Sequence, residues 1–560
     1  MKKSLRFLTL LIVPILALTL TACSSGQQSQ SSASASSGAA EAAANNPVPD
    51  AQATEASPTV VVVSGTNEEM GYQYACQVPD LIYRNSVLLK SKVEAQYGAE
   101  LAKTDMQVWS YYADKYDPGL RQWIEGMQKG LAENGYTVDY YDLLTITVYS
   151  AEMWCRPPVD QPYPEETGIT LPETDAENTD SEIHSCTGFV ATGDATPDGN
   201  PIVGVTKMIT PEKANSIILL AYPEEGNYFF SNPMAGSVSE NAGLNSAGYA
   251  WVFTAQWGPP IWGVINEVFF HNMVQNCSTP DEAIEFLNNS PRAGVTGAFL
   301  MASAKDGIKG YESHSDVAET RVPGDSGEEG NYMVQTNHLV NPKLAEHNAG
   351  GAVGGSLYRY ATMLEYVKEA AENGGVTFET AKKAYYSDDW YDPEAKEWHQ
   401  NEPGAEGVND NTSSLAQAVF LPADMTAYFE VGTPNGVGLP GKATGEYVKF
   451  TLGENPLAVS NDADQTAQQY FWEARNQFVK MQNDKAKALT YEAAESIREL
   501  IDTAAIELEY GMDRAAFAYA ADGNGQSPVE QMQLWGEALT HFAKSQMCSQ
   551  MATSKLESLS

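Results

Sequence analysis

Cys186 heads a run of period two, Thr187–Ala191, and follows a stretch from Pro157 to Ser185 that is rich in Pro, Asp and Glu and holds no Lys or Arg. Cleavage of the Ser185–Cys186 bond would put an α-amino group on the same residue as a thiol. Such an amine titrates near ~7.7–8.0, far below lysine. It can therefore act as general base at neutral pH, with no separate histidine. The chemistry this arrangement permits is thiolate attack on a carbonyl, giving a thioester. Position alone is also met by a buried, inert thiol that starts a strand. Cys76, Cys155, Cys277 and Cys548 form no CxxC pair, so zinc and thioredoxin chemistry have no support, and they read as buried inert thiols. No Ser-His-Asp order, phosphate loop or HExxH is present. We assign no metal and no cofactor from the sequence. Asp388, Asp389 and Asp392 could ligate calcium, but a solvated acidic loop is the simpler reading.

The elements that must hold Cys186 follow from periodicity. Thr59–Val63 predicts a strand, Glu68 to about Tyr97 a helix, and Leu120–Asn134 a second helix stopped by Gly135. Thr187–Ala191 and Pro201–Met208 flank the turn Pro197-Asp198-Gly199-Asn200, a hairpin. Further strands are predicted at Ser216–Tyr222, Asn227–Ser231, Tyr249–Gln256, Ala298–Ala304, Tyr332–Asn337, Gln417–Phe420 and Ala427–Val431. Helical patterns fall at Val264–Gln275, Pro280–Asn288, Leu357–Asn373 and Phe378–Tyr386. Antiparallel sheets flanked by helices are expected. After about Pro456 the pattern is helical throughout, either packed on the main body or forming a small bundle.

The chain has 560 residues and a formal charge of −40. That acidity excludes phosphate-backbone binding as the main task, so no nucleic-acid partner is expected. Lys2, Lys3 and Arg6 precede an apolar run, Phe7–Leu20, with the proportions of a signal peptide. Leu20-Thr21-Ala22-Cys23 resembles a bacterial lipobox, which implies lipidation of Cys23. Residues 24–58 are Ser, Ala, Gln and Gly with a few acids, a flexible tether. The expected organisation is 1–22 leader, 23–58 tether, 59–185 a segment ending in the acidic loop, 186–455 the nucleophile-bearing region and 456–560 the helical tail. The expected location is the bacterial cell surface, with the membrane touched only through the lipid anchor.

Ser185-Cys186-Thr187-Gly188-Phe189-Val190-Ala191 with Thr192 to Gly199 resembles the nucleophile segment of the autoproteolytic acyltransferase and hydrolase family typified by penicillin acyltransferase, including bacterial relatives of phospholipase-B-like proteins. Val62–Gly71 resembles the family's opening strand and turn. Gly243-Leu244-Asn245-Ser246-Ala247-Gly248 resembles its G-hydrophobic-N-x-x-G signature. Thr336-Asn337-His338 resembles its T/S-N-H strand end, and Ser356-Leu357-Tyr358-Arg359 the helix start that follows. Ser413–Val419 with Gly432-Thr433-Pro434 resembles its closing strand pair. The resemblance implies an α+β fold, a four-layer αββα sandwich of the N-terminal-nucleophile type, here with an extra C-terminal helical region. It implies autocleavage at Ser185–Cys186, the cleaved N-terminal segment remaining as a non-covalent subunit. It further implies amide hydrolysis or acyl transfer on a small-molecule amide or peptide substrate.

Two positions depart from the family pattern. Its second strand usually reads G-R/H-N-x-D/W, where this chain has Gly204-Val205-Thr206-Lys207-Met208. Only Lys207 could replace the lost polar groups. The Asn that often helps form the oxyanion hole is missing from Thr296-Gly297-Ala298-Phe299. Losing one such donor costs ~10²–10³ in rate. Asn245 either braces the nucleophile or supports its turn, and the backbone around Thr254 to Gln256 is an oxyanion candidate. Asn337, His338 and Arg359 are candidate substrate contacts. The alternatives are a histidine hydrogen-bonded at a strand end and an arginine in a structural ion pair. Trp251, Phe253, Trp257 and Trp262 could line an acyl pocket or be ordinary core. The leading function is a self-processing cysteine amidohydrolase or acyltransferase acting on linear amide bonds; the rival is a catalytically degraded ligand-binding lipoprotein of the same fold.

Overall fold

The β-branched run Val60–Val63 is fully buried and forms most of a strand that reaches Gly65. The computed structural model describes residues 59–559 except 175, 177–184, 209–216, 258, 294, 315, 328–329, 349–353, 404, 406, 410–413, 432–445 and 484–488. Residues 1–58, on which the expected leader, Cys23 and the expected tether fall, lie outside the described residues.

In chain order the elements are β1 (Val60–Gly65), α1 (Asn67–Gln77), α2 (Pro79–Tyr97), α3 (Ala99–Tyr116), α4 (Pro118–Glu133) and α5 (Tyr140–Cys155). Next come β2 (Ser185–Gly193), β3 (Gly199–Met208), β4 (Ile218–Pro223), β5 (Phe229–Ser231), β6 (Ala242–Asn245) and β7 (Tyr249–Trp257). They are followed by α6 (Asn266–Asn276), α7 (Pro280–Asn288), β8 (Val295–Ser303), β9 (Gly307–Ser313), β10 (Ala318–Arg321) and β11 (Tyr332–Gln335). Then come α8 (Gly354–Glu372), α9 (Phe378–Tyr386), the small hairpin β12 (Trp390–Asp392) and β13 (Glu397–His399), β14 (Ser414–Leu421), β15 (Thr426–Val431) and β16 (Glu446–Thr451). The chain closes on α10 (Pro456–Asn483), α11 (Tyr491–Asn524) and α12 (Pro528–Ser558).

Among the described residues two large sheets form, ordered β1-β4-β5-β6-β7-β8-β9-β10 and β11-β2-β3-β14-β15-β16. Side chains alternate across each strand, so each sheet buries two faces. Val62, Leu244, Val252 and Leu300 of the first sheet meet Val190, Val205, Phe420 and Phe429 of the second in a shared inner core. Tyr249, Trp251, Phe253 and Phe299 face the other way, against Met70, Trp123, Leu144 and Val268 of the N-terminal helices and α6. Phe189, Ile202 and Val334 pack on Met363, Val367 and Tyr385 of α8 and α9. The layers are helix, sheet, sheet, helix, an αββα sandwich.

Residues 59–185 are not a separate body, because β1 pairs in parallel with β4 inside the first sheet. The predicted helix from Glu68 to Tyr97 is broken into α1 and α2 at Pro79, which sits at a helix start where its missing N–H costs nothing. α1 crosses α4 backbone against backbone. A Cβ on Gly71 would lie 2.0 Å from the Trp123 carbonyl oxygen, and one on Gly126 2.0 Å from that of Glu68.

The helical tail both packs on the body and bundles. Trp535, Leu539 and Phe542 of α12 enter the inner core, while Phe478, Ile497 and Leu556 join α10, α11 and α12. α12 also covers two sheet edges. Thr540 Oγ1 accepts from Val60 N at 2.9 Å, beside the Gln77 amide, which bonds both N and O of Val62. At β16, Gln546 Oε1 accepts from Lys449 N at 2.9 Å and Gln550 Nε2 donates to Tyr447 O at 2.6 Å. Edge strands expose a row of peptide groups that invites aggregation, and here hydroxyl and amide side chains satisfy part of that row. No helix among the described residues is long and apolar enough to cross a membrane.

Candidate active site

β2 begins at Ser185, so Cys186 is its second residue and faces inward with Gly188 and Val190, toward the first sheet. Its antiparallel partner on β3 is Lys207, also on the inner face. Two residues from distant parts of the chain fix Cys186. Its main-chain N–H donates to Asn337 Oδ1 at 2.8 Å. Arg359 Nη1 donates to the Cys186 carbonyl oxygen at 2.6 Å and to Thr187 Oγ1 at 3.1 Å, and Nη2 donates to Asn337 Oδ1 at 3.0 Å. Asn337 Nδ2 donates in turn to the Ala255 carbonyl at 3.0 Å, tying the end of β11 to the end of β7. Gln256 Nε2 reinforces that tie by donating to Thr336 O at 2.8 Å.

Burial pushes the Cys186 thiol up from its ordinary value. Lys207, Arg359 and the main-chain amides of Ala255 and Met208 pull the other way. Lys207 pairs with the buried Glu240. Burial also brings Arg359 down to about 10. His338 sits beyond Asn337 with its Nδ1 2.8 Å from Ser356 Oγ and 3.2 Å from Thr336 Oγ1. Burial, with Arg359 and Arg321 nearby, lowers its pKa to about 4. Ser356 Oγ also accepts from Asn337 N at 2.9 Å, so the start of α8 holds the strand end that presents Asn337.

The structure thus brings Asn337 and Arg359 onto Cys186, but as holders of its backbone. Arg359 does not sit in an ion pair with a carboxylate among the contacts described; its bonds go to a carbonyl, a hydroxyl and an amide oxygen. His338 takes the strand-end position, held neutral among hydroxyls. Asn245 is a correction. Its Nδ2 donates to the Val274 and Cys277 carbonyls and its Oδ1 accepts from Ala247 N, so it pins α6 to a turn. It pairs with Tyr249, six residues along β7 from Ala255, roughly 20 Å at strand rise. Thr254 lies on the inner face opposite Ala298, fully buried, with no partner for its hydroxyl among the described residues. Of the two main-chain amides turned to the sulfur, the one on β7 belongs to Ala255, one residue on.

Of the two readings of the aromatic group, the contacts of Trp251, Phe253 and Trp262 support ordinary core. Trp251 stacks on Phe270, Phe253 meets Phe270 edge-on and both rings contact Phe299 in the outer core, while Trp262 packs on Trp109 and Tyr163. The Trp257 side chain lies outside the described residues. Asp389 and Asp392 accept from backbone amides of Asn401, Glu394 and Ala395, turn caps rather than a cation cage. Glu240 was invisible to sequence reasoning, since nothing in its neighbourhood marks a lysine 33 positions away as its partner.

The four-layer order, with Cys186 near the start of an inner strand, agrees with the sandwich that the motif resemblance implied. Residues 196–436 match the family model described as acyl-coenzyme A:6-aminopenicillanic acid acyl-transferase, in line with the motif resemblance; the match begins beyond Cys186. A protein of Archaeoglobus fulgidus, described as uncharacterized, is 26% identical over 351 residues, 57% of this chain and 56% of its own length. The chain thus spans about half the length of that relative. Among solved structures, a Caenorhabditis elegans N-acylethanolamine-hydrolyzing acid amidase ortholog is 14% identical, covering 42% of this chain and 93% of its own, with a TM-score of 0.29. Penicillin V acylase from Agrobacterium tumefaciens is 15% identical, covering 48% and 92%, with a TM-score of 0.23.

Proposed function

We propose that this chain is a self-processing cysteine amidohydrolase or acyltransferase, with Cys186 as nucleophile and its own α-amine as base. The observation that carries the reading is the 2.8 Å bond from Cys186 N to Asn337 Oδ1. It holds the future amine on the residue whose thiol faces the sheet interface. In maturation the Cys186 sulfur adds to the Ser185 carbonyl carbon. The Ser185–Cys186 C–N bond breaks, and the thiol proton passes to the freed nitrogen. Water then hydrolyses the thioester, leaving a Ser185 carboxylate, a free thiol and a free α-amine. In turnover that amine takes the thiol proton, and the thiolate attacks a linear amide. The protonated amine product leaves, and the thioester is resolved by water or by an acceptor amine.

Asn337 and Arg359 orient the amine, and Lys207 steadies negative charge on sulfur. The Ala255 amide is the oxyanion donor best placed to offset the methyl at Ala298. The rival reading, a ligand-binding protein without turnover, is favoured by the apolar Val205 and Ala298 at the family's polar positions. N-terminal sequencing of purified protein separates the two. A terminus at Cys186, lost in an intact Cys186→Ala chain, is expected; an uncut chain that still turns over amides would sink the mechanism. We further propose lipid anchoring through Cys23 at the cell surface, supported by the lipobox resemblance. Cys23→Ser should fail to incorporate labelled fatty acid, and unchanged labelling would refute it.

A further inference from the structure

His314 follows β9, Asp316 lies in the turn to β10, and His347 ends a single 3-10 turn, Ala345–His347, far along the chain. The fold brings the three together. One ligand atom from each lies within 4.8 Å of the others. His314 Nδ1 is 2.9 Å from Asp316 Oδ1, and the His314 and His347 rings are 5.0 Å apart between centroids. Burial is graded across the group: the side chains are 9% exposed at His314, 27% at His347 and 72% at Asp316.

We propose that His314, Asp316 and His347 form a binding site for a divalent transition-metal ion of the zinc class. Two imidazoles and one carboxylate suit such ions, whereas calcium and magnesium prefer oxygen sets. Four-coordinate geometry with metal–ligand bonds of about 2.0–2.2 Å puts ligand atoms about 3.4 Å apart. Small rotations of His347 and Asp316, the two more exposed members, bring the set to that spacing. His314 is the fixed member. Its main-chain N–H donates to Val317 O at 2.8 Å, and its carbonyl accepts from Arg292 Nε at 3.3 Å. The fourth position is open to water or to Glu346, whose Oε1 is 3.9 Å from His347 Nε2.

The site has a mechanical consequence. The segment from Leu339 to Asn348 leaves the strand end that presents Asn337. It closes on itself through Asn348, which bonds both N and O of Leu339. Glu312 Oε2 on β9 accepts from Val340 N and Asn341 N at 2.7 and 3.0 Å. A metal joining His347 to His314 would clip the far end of this segment to the same strand. The proposal does not depend on the chemistry assigned to Cys186.

The test uses tag-free, full-length protein freed of metal by chelator and titrated with Zn²⁺ by calorimetry and with Co²⁺ by visible absorption. One ion per chain is expected, with the intense d–d bands of low-coordinate Co²⁺. Amide exchange across 339–347 should slow on loading. His314→Ala and His347→Ala should each weaken binding by about 10²-fold or more, beyond the 10–100-fold that loss of an outer-shell partner costs. Asp316→Asn, at an exposed position that leaves the fold intact, should weaken it as well. Absence of one-to-one binding, or binding unchanged in His347→Ala and Asp316→Asn, would overturn the site and leave a hydrogen-bonded histidine pair.

Discussion

Oδ1 of Asn337 accepts the Cys186 main-chain N–H at 2.8 Å and is itself gripped by Arg359 Nη2 at 3.0 Å. One amide oxygen therefore joins the Cys186 nitrogen to a buried cation, across more than 150 residues of sequence. A free amine at Cys186 would inherit this acceptor, which would fix the direction of its lone pair toward the thiol.

Asn337→Ala should therefore lower kcat by ~10²–10³ with KM little changed, a loss of the size seen when one preorganised polar contact is removed. The acidic limb of the pH profile should move, because the amine loses its partner. Arg359→Lys should not rescue function, since a point charge cannot hold the Cys186 carbonyl and Asn337 Oδ1 at once. Steady-state kinetics on N-acyl amino acids decide this; a pure KM effect would return Asn337 to the role of substrate contact.

Lys207 and Glu240 form a pair with side chains 10% and 3% exposed. Lys207→Met should destabilise the chain by ~3–5 kcal/mol, because it strands a buried carboxylate. Lys207→Met with Glu240→Gln should recover most of that loss in urea unfolding, yet both variants should raise the pH at which Cys186 is alkylated. A double variant as unstable as the single one would show that the pair is not the cause.

His338 has a folded pKa of about 4 against an ordinary 6.5. The unfolded chain thus takes up a proton first as pH falls. Stability is full above about 6.5 and is lost between there and about 4, by roughly 3 kcal/mol for a gap of that size. His338→Gln should flatten this stretch of the stability curve. An unchanged slope would mean that other groups carry the acid sensitivity.

Gly126→Ala should cost more than the ~1–3 kcal/mol typical of overpacking, because the added methyl meets a rigid helix carbonyl. Gly523→Ala on α11 meets nothing within 4 Å and should stabilise by up to ~1 kcal/mol. Thermal unfolding of the two variants compares them directly; equal effects would argue against the close crossing of α1 and α4.

The chain's local periodicity determined a good deal. The β2–β3 hairpin around Asp198-Gly199 and the inward-facing Cys186 follow from strand alternation and turn chemistry, which act over a few residues. α3 escaped notice, as did α5, which buries most of its surface and so shows no single apolar stripe. β6 was too short to show a period. Asn245 misled because a Gly-flanked Asn looks the same whether it serves a nucleophile or a helix end. Only the tertiary structure decided that Asn337 and Arg359 would hold the backbone of Cys186, that Glu240 would neutralise Lys207, and that His347 would come to rest beside His314. The physical reason is common to all three. Each depends on which strands become neighbours and in what register, and that is settled by how whole faces of apolar side chains pack, a quantity no short stretch of sequence contains.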